Sequence, residues 1–205
     1  MMKKTLIPFL LTLLALTGCG DNSTPKEGVE YTTIKTPLTN TSAPVIEVFS
    51  LACGHCRNME TILPEIQKMT DSDIQQVHVT FNKSAQVAAY IYYTAVIQSE
   101  GHPDPKLMEQ LFAYIQDTPA ELDETARKAK LMGIFKDFQL KSPFELSEEQ
   151  HKQVYQQLTK AETVVENAEI VSVPAFLVQG KYLVKSEAHE NLEDLASTIQ
   201  YLKQL

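Results

Sequence analysis

Apolar and polar positions along this chain follow two periods, and the switch between them marks out its elements. Residues 29–35, with Tyr31, Thr32, Thr33 and Ile34, form a short β-type run. Val45-Ile46-Glu47-Val48-Phe49 is apolar on nearly every residue, the pattern of a strand buried on both faces. From Cys53 to about Met69 the spacing turns helical, with Met59, Ile62, Leu63 and Ile66 on one stripe. Pro64 falls inside that stripe and predicts a kink or a split. Residues 74–81 alternate again, with Val77, Val79 and Phe81 on one face of a strand.

Residues 83–168 then read as helix after helix. Ser84 predicts a cap, and Asp104-Pro105 opens a second helix. Residues 121–132 predict a third, stopped at Gly133. Ser147-Glu148-Glu149-Gln150 has capping-box spacing and opens a long helix to about Ala168. The sheet resumes at Ala175-Phe176-Leu177-Val178. Gln179-Gly180 is a turn and residues 181–185 a returning strand. Residues 191–205 close the chain as a helix with Leu192, Leu195, Ile199 and Leu202 inward. The order is β-β-α-β, helices, β-β-α, which an α/β mixed sheet with helices on both faces and a helical insertion accounts for.

The start of the chain departs from this pattern. Lys3 and Lys4 precede an apolar run from Leu6 to Leu16, the layout of a secretory signal and too short to span a bilayer. Leu16-Thr17-Gly18-Cys19 resembles the bacterial lipoprotein box. That resemblance implies removal of residues 1–18 and a diacylglycerol on Cys19, a membrane anchor with residues 19–28 as a flexible tether. Removal takes two of the 18 basic side chains and none of the 26 acidic ones, so the remainder is more acidic than the whole chain's −8. No basic run interleaved with aromatics is present, and nucleic acid is not an expected partner.

With Cys19 assigned to lipid, two of the three cysteines remain. Cys53-Gly54-His55-Cys56 sits where a strand runs into a helix. Positions i and i+3 share a helix face, so the two sulfurs can meet, and the helix N-terminus favours an anion on Cys53. The thiolate is the nucleophilic form. A structural disulfide closing so short a loop would gain little. Zinc needs about four ligands, and haem attachment needs histidine where Arg57 stands. Neither a metal nor a cofactor is expected, and Cys53 attacking with Cys56 resolving is the favoured chemistry. His55 is a candidate donor to the Cys53 thiolate, or an exposed turn residue. His78 reads as a satisfied strand residue, and His102, His151 and His189 as surface.

Several stretches resemble the DsbA family of periplasmic thiol:disulfide oxidoreductases: Gly28-Val29-Glu30-Tyr31-Thr32-Thr33, Glu47-Val48-Phe49-Ser50, Cys53-Gly54-His55-Cys56, His78-Val79-Thr80-Phe81, and Val173-Pro174-Ala175-Phe176-Leu177-Val178-Gln179-Gly180-Lys181-Tyr182. The resemblance covers about residues 27 to 205. It implies a thioredoxin-like mixed sheet (29–82 and 169–205) with an inserted all-helical domain (83–168). It also implies a cis Val173–Pro174 bond facing the two cysteines. Two departures matter. Gly54 replaces the proline of the most familiar DsbA motif, and Cys-Gly-His-Cys is also the motif of protein disulfide isomerases. Gln76 stands where the family often has a lysine beside its buried acid, here Glu47. A buried carboxylate without a cation is raised in pKa and could serve as a proton reservoir for Cys56, or be a satisfied core acid.

The function this implies is donation of a disulfide to reduced, unfolded exported proteins by a monomer in the periplasm. Reoxidation would come from a DsbB-like quinone-linked membrane protein, with the lipid anchor favouring the inner membrane. The alternatives are a reductase or isomerase of the same fold, and a peptide-binding chaperone with incidental cysteines.

Overall fold

In the computed structural model, residues 24–39, 41 and 43–205 are described. The signal segment 1–18 and the lipidation position Cys19 lie outside the described residues. Five strands form one sheet: β1 (Tyr31–Thr33), β2 (Val45–Phe49), β3 (Ile74–His78), β4 (Ala175–Val178) and β5 (Tyr182–Val184). Their order is β1-β5-β4-β2-β3, and only β2 and β3 run parallel. Helix α1 (Gly54–Thr70) crosses between those two strands. Four helices occupy the interval between β3 and β4: α2 (Lys83–Val96), α3 (Pro105–Asp117), α4 (Glu124–Asp137) and α5 (Glu148–Asn167). Helix α6 (Leu192–Leu202) closes the fold after a short 3-10 turn at Ser186–Ala188.

The run of apolar residues in β2 follows from its position: both faces of the sheet are covered. Ile46, Val48, Val77 and Leu177 pack toward α2 to α5, against Tyr92, Leu107, Leu111, Phe112 and Phe135. Val45, Phe176, Val178 and Val184 pack on the other face, against Leu63 and Ile66 of α1 and Leu195, Ile199 and Leu202 of α6. β3 is an edge strand, and two tyrosines of α2 meet part of its free ladder. The Tyr92 hydroxyl donates to the Gln76 carbonyl at 3.3 Å, and the His78 N–H donates to the Tyr93 hydroxyl at 3.1 Å. The β4–β5 hairpin turns through Gln179 and Gly180 at φ 54° and 61°, the left-handed pair that a two-residue turn requires. A Cβ on Gly180 would meet the Leu38 carbonyl oxygen at 2.6 Å, so no other residue fits there.

Five expectations are corrected. Pro64 does not split α1, which runs unbroken from Gly54 to Thr70. The proline faces solvent, and its cost of about 3 kcal/mol is offset by buried Leu63 and Ile66 at roughly 1.5–3 kcal/mol each. Ile62 lies on the exposed side of the same helix. β3 ends at His78, the Val79 N–H still bonding the Phe49 carbonyl, and Phe81 is left 49 % exposed. The cap of α2 is Asn82, whose side chain accepts from the Ala85 N–H, and not Ser84. α4 starts at Glu124, behind its Asp123 cap, and runs through Gly133. An interior glycine costs about 1 kcal/mol against alanine, less than the burial of Leu131, Ile134 and Phe135 returns. No helix among the described residues is long and apolar enough to cross a membrane.

Candidate active site

β2 delivers the chain to a tight turn. The Cys53 N–H bonds the Ser50 carbonyl at 3.0 Å, and the Ala52 N–H bonds Ser50 Oγ at 3.2 Å. Cys53 then stands as the N-cap of α1, with extended backbone at φ −95° and ψ 117°. Its Sγ accepts from the Cys56 N–H at 3.1 Å, one of the donors a helix start leaves unpaired. Both cysteines are free thiols. Cys53 is half-buried, whereas Cys56 is 1 % exposed.

The residues just before β4 come to the same place. The Val173–Pro174 peptide bond is cis, and the Val173 carbonyl accepts from Cys53 Sγ at 3.5 Å. The Pro174 carbonyl accepts from Ser186 Oγ at 3.4 Å. Val173 and Pro174 are half-buried, and Val171 beside them is 89 % exposed. His55 is exposed on the first turn of α1, and its ring is not among the partners of Cys53 Sγ, which are the Cys56 N–H and the Val173 carbonyl. Among the described residues no cluster of three or more His, Cys, Asp or Glu could hold a metal ion.

Behind Cys56 lies an uncharged bridge between two acids. Glu47 is 1 % exposed and pairs across the sheet with Gln76 and Phe176. The Gln76 amide donates to Glu47 at 2.9 Å and to Glu60 at 2.7 Å. Glu60 follows Cys56 by four residues and so shares its face of α1. An amide supplies two N–H groups and no positive charge. Burial therefore pushes Glu47 up to about 8, with the Gln76 hydrogen bond opposing and the Glu60 charge adding. Burial raises Glu60 too. Burial is also the main reason the Cys56 thiol is pushed up, with its hydrogen bond to Cys53 and the Cys53 and Glu47 charges adding.

Three further residues hold the loop, and only one of them had a signal in the sequence. His78 is fully buried; its Nε2 accepts from the Leu51 N–H at 2.9 Å and its Nδ1–H donates to the Val79 carbonyl at 2.7 Å. Burial holds this imidazole down at about 4, so it is neutral. Its reading as a satisfied strand residue agrees with this, and the bond to Leu51 adds a role. Gln116, in the last turn of α3, donates to the Leu51 carbonyl at 2.8 Å and to the Cys53 carbonyl at 3.2 Å. Arg57 forks onto Glu109 at 2.5 Å and Asp117 at 2.9 Å, also on α3. Nothing local marks Gln116 or Arg57, because their partners lie some sixty positions away. Two of the histidines read as surface are also tied in. His151 bonds the Tyr90 hydroxyl, and His189 bridges the Lys185 carbonyl and Thr198.

With this geometry in view, the comparisons with known proteins agree. A family model described as thioredoxin matches residues 36–200. The thiol:disulfide interchange protein DsbA of Bordetella parapertussis is 26 % identical over 209 residues, covering 94 % of this chain and 90 % of that protein. The DsbA of Yersinia pestis is 27 % identical over 193 residues, covering 87 % and 83 %. Among solved structures, DsbL of Salmonella enterica serovar Typhimurium superposes with a TM-score of 0.68 at 18 % identity, covering 89 % of this chain and 99 % of that one. DsbA of Proteus mirabilis gives 0.65 at 18 %, covering 88 % and 96 %. The chain belongs to the thioredoxin family, with the mixed five-stranded sheet and paired cysteines described above. Within that family it is a DsbA-type thiol:disulfide oxidoreductase.

Proposed function

We propose that the oxidised protein donates its Cys53–Cys56 disulfide to reduced, unfolded exported proteins in the periplasm. The observation that carries this reading is the unequal placement of the two sulfurs, Cys53 reachable at a helix start and Cys56 enclosed. A substrate thiolate attacks Cys53 Sγ, and the S–S bond breaks with its electron pair going to Cys56 Sγ. The Cys56 sulfur, which burial disfavours as an anion, takes a proton from Glu47. A second substrate thiolate then attacks the substrate sulfur of the mixed disulfide, and Cys53 leaves as thiolate. The Cys56 N–H and the positive end of α1 favour that charge. The substrate has lost two electrons, which the cysteine pair now holds.

Those electrons need an acceptor, in this reading a DsbB-like quinone-linked membrane oxidase. A diacylglycerol on Cys19 after removal of residues 1–18 would hold the protein at the inner membrane, raising the effective concentration for that encounter. Residues 29–82 and 169–205 form the redox unit and 83–168 the helical insertion, acting as a monomer. The Val173 carbonyl and the exposed Val171 offer an extended peptide a place beside Cys53, and a Proteus mirabilis DsbA holds a non-covalently bound peptide.

The test is an equilibrium titration against glutathione, followed by addition of a reduced, unfolded dithiol protein to the oxidised form. The reading expects stoichiometric disulfide transfer. A potential as low as thioredoxin's, roughly −270 mV, would make the protein a reductase instead.

A further inference from the structure

The redox loop is gripped from outside the sheet and α1. Gln116 reaches across from α3 and places its amide against two carbonyls of the loop, Leu51 at 2.8 Å and Cys53 at 3.2 Å. Leu51 is thereby held at both ends, since its N–H bonds His78 Nε2. The Cys53 carbonyl already accepts the Arg57 N–H at 3.2 Å, so Gln116 is a second donor on the N-cap residue itself. The Arg57 fork to Glu109 and Asp117 seats α3 against the first turn of α1 and so brings Gln116 within reach. Cysteine is not among the side chains that favour an N-cap. The Cys53 backbone thus draws part of its support from a helix that lies between β3 and β4 in sequence.

We infer that Gln116 is a positioning residue for thiol exchange. It fixes the Cys53 backbone so that Sγ meets the Cys56 N–H and the Val173 carbonyl together, and in doing so it favours the dithiol form over the disulfide. The inference rests on the thiol-exchange reading, with Cys53 as the attacked sulfur. Two hydrogen bonds are at stake, and the Gln116 amide carries no charge that would oppose negative charge on the nearby sulfur. Removing the donors loosens the dithiol form. Replacing the amide by a carboxylate adds repulsion against both carbonyls and against the Cys53 thiolate.

The experiment compares the full chain with Gln116→Leu and Gln116→Glu in glutathione redox buffers, with melting of both redox forms measured alongside. Gln116→Leu is expected to move the equilibrium toward the disulfide by about threefold to tenfold, the size of one or two hydrogen bonds. Gln116→Glu should move it further at neutral pH and return toward the leucine value as the buffer is acidified and the carboxyl takes a proton. Because glutamate keeps the shape of glutamine, this variant remains informative if the leucine one does not fold. A purely structural role predicts equal melting losses in the two redox forms and no change in either equilibrium. That result overturns the inference. If the unaltered protein itself fails to equilibrate through Cys53, the underlying thiol-exchange reading has failed instead.

Discussion

Cys53 and Cys56 share one turn of one helix, yet their surroundings are opposites. The outer sulfur is half-buried and sits among backbone groups, the Cys56 N–H on one side and the Val173 carbonyl on the other. The inner sulfur is enclosed by the core and backed by Glu47, Gln76 and Glu60, an acidic group that no cation meets among the described residues. Three residues along the chain therefore separate a reachable sulfur at a helix start from one whose burial disfavours negative charge. The lesson is that a dithiol becomes directional when one sulfur is left reachable at a helix start and the other is enclosed away from water.

The largest test of that contrast is removal of each sulfur. Cys53→Ser is expected to abolish disulfide transfer to a reduced dithiol protein, whereas Cys56→Ser should still form a mixed disulfide and accumulate it, as non-reducing electrophoresis will read. Next in size is Glu47→Gln. The folded protein holds Glu47 at about 8 against an ordinary 4.5, so its contribution to stability is full below the ordinary value and lost as pH rises toward the raised one. The glutamine variant should lack that decline and gain about 2–4 kcal/mol relative to the unaltered protein at pH 8, measured by urea unfolding across pH.

His78→Leu leaves the buried Leu51 N–H without a partner and should cost about 2 kcal/mol, read in the same unfolding experiment. It should also flatten the opposite slope. Burial holds His78 at about 4 against 6.5, so its contribution is present above the ordinary value and lost as pH falls through the lowered one. The smallest effect belongs to the exposed fork. Arg57→Gln should cost about 1 kcal/mol or less, because Glu109 and Asp117 are 53 % and 56 % exposed. That loss should shrink further in high salt.

What the sequence discloses of this contrast is its local half. Cys53 and Cys56 at a strand–helix join, the Val173-Pro174 pair ahead of an apolar strand, and caps such as Asp104-Pro105 and Ser147 are set by neighbours in the chain. Local signals fail where packing outweighs them. Pro64 and Gly133 stay inside helices because buried neighbours on the same helix hold them there, and Phe81 leaves the sheet although it continues the alternation. Glu47 was legible as an acid without a cation, but not the second acid, Glu60, that shares the Gln76 amide. The pairs Leu51–Gln116 and Arg57–Asp117 span so much chain that no window of sequence contains both partners.

The division of labour between the two sulfurs is measured most directly by limited alkylation of the reduced protein. With one equivalent of iodoacetamide at neutral pH and peptide mapping by mass spectrometry, modification is expected at Cys53, with Cys56 protected until the protein is unfolded. Equal labelling of the two, or labelling of Cys56 first, would contradict the account.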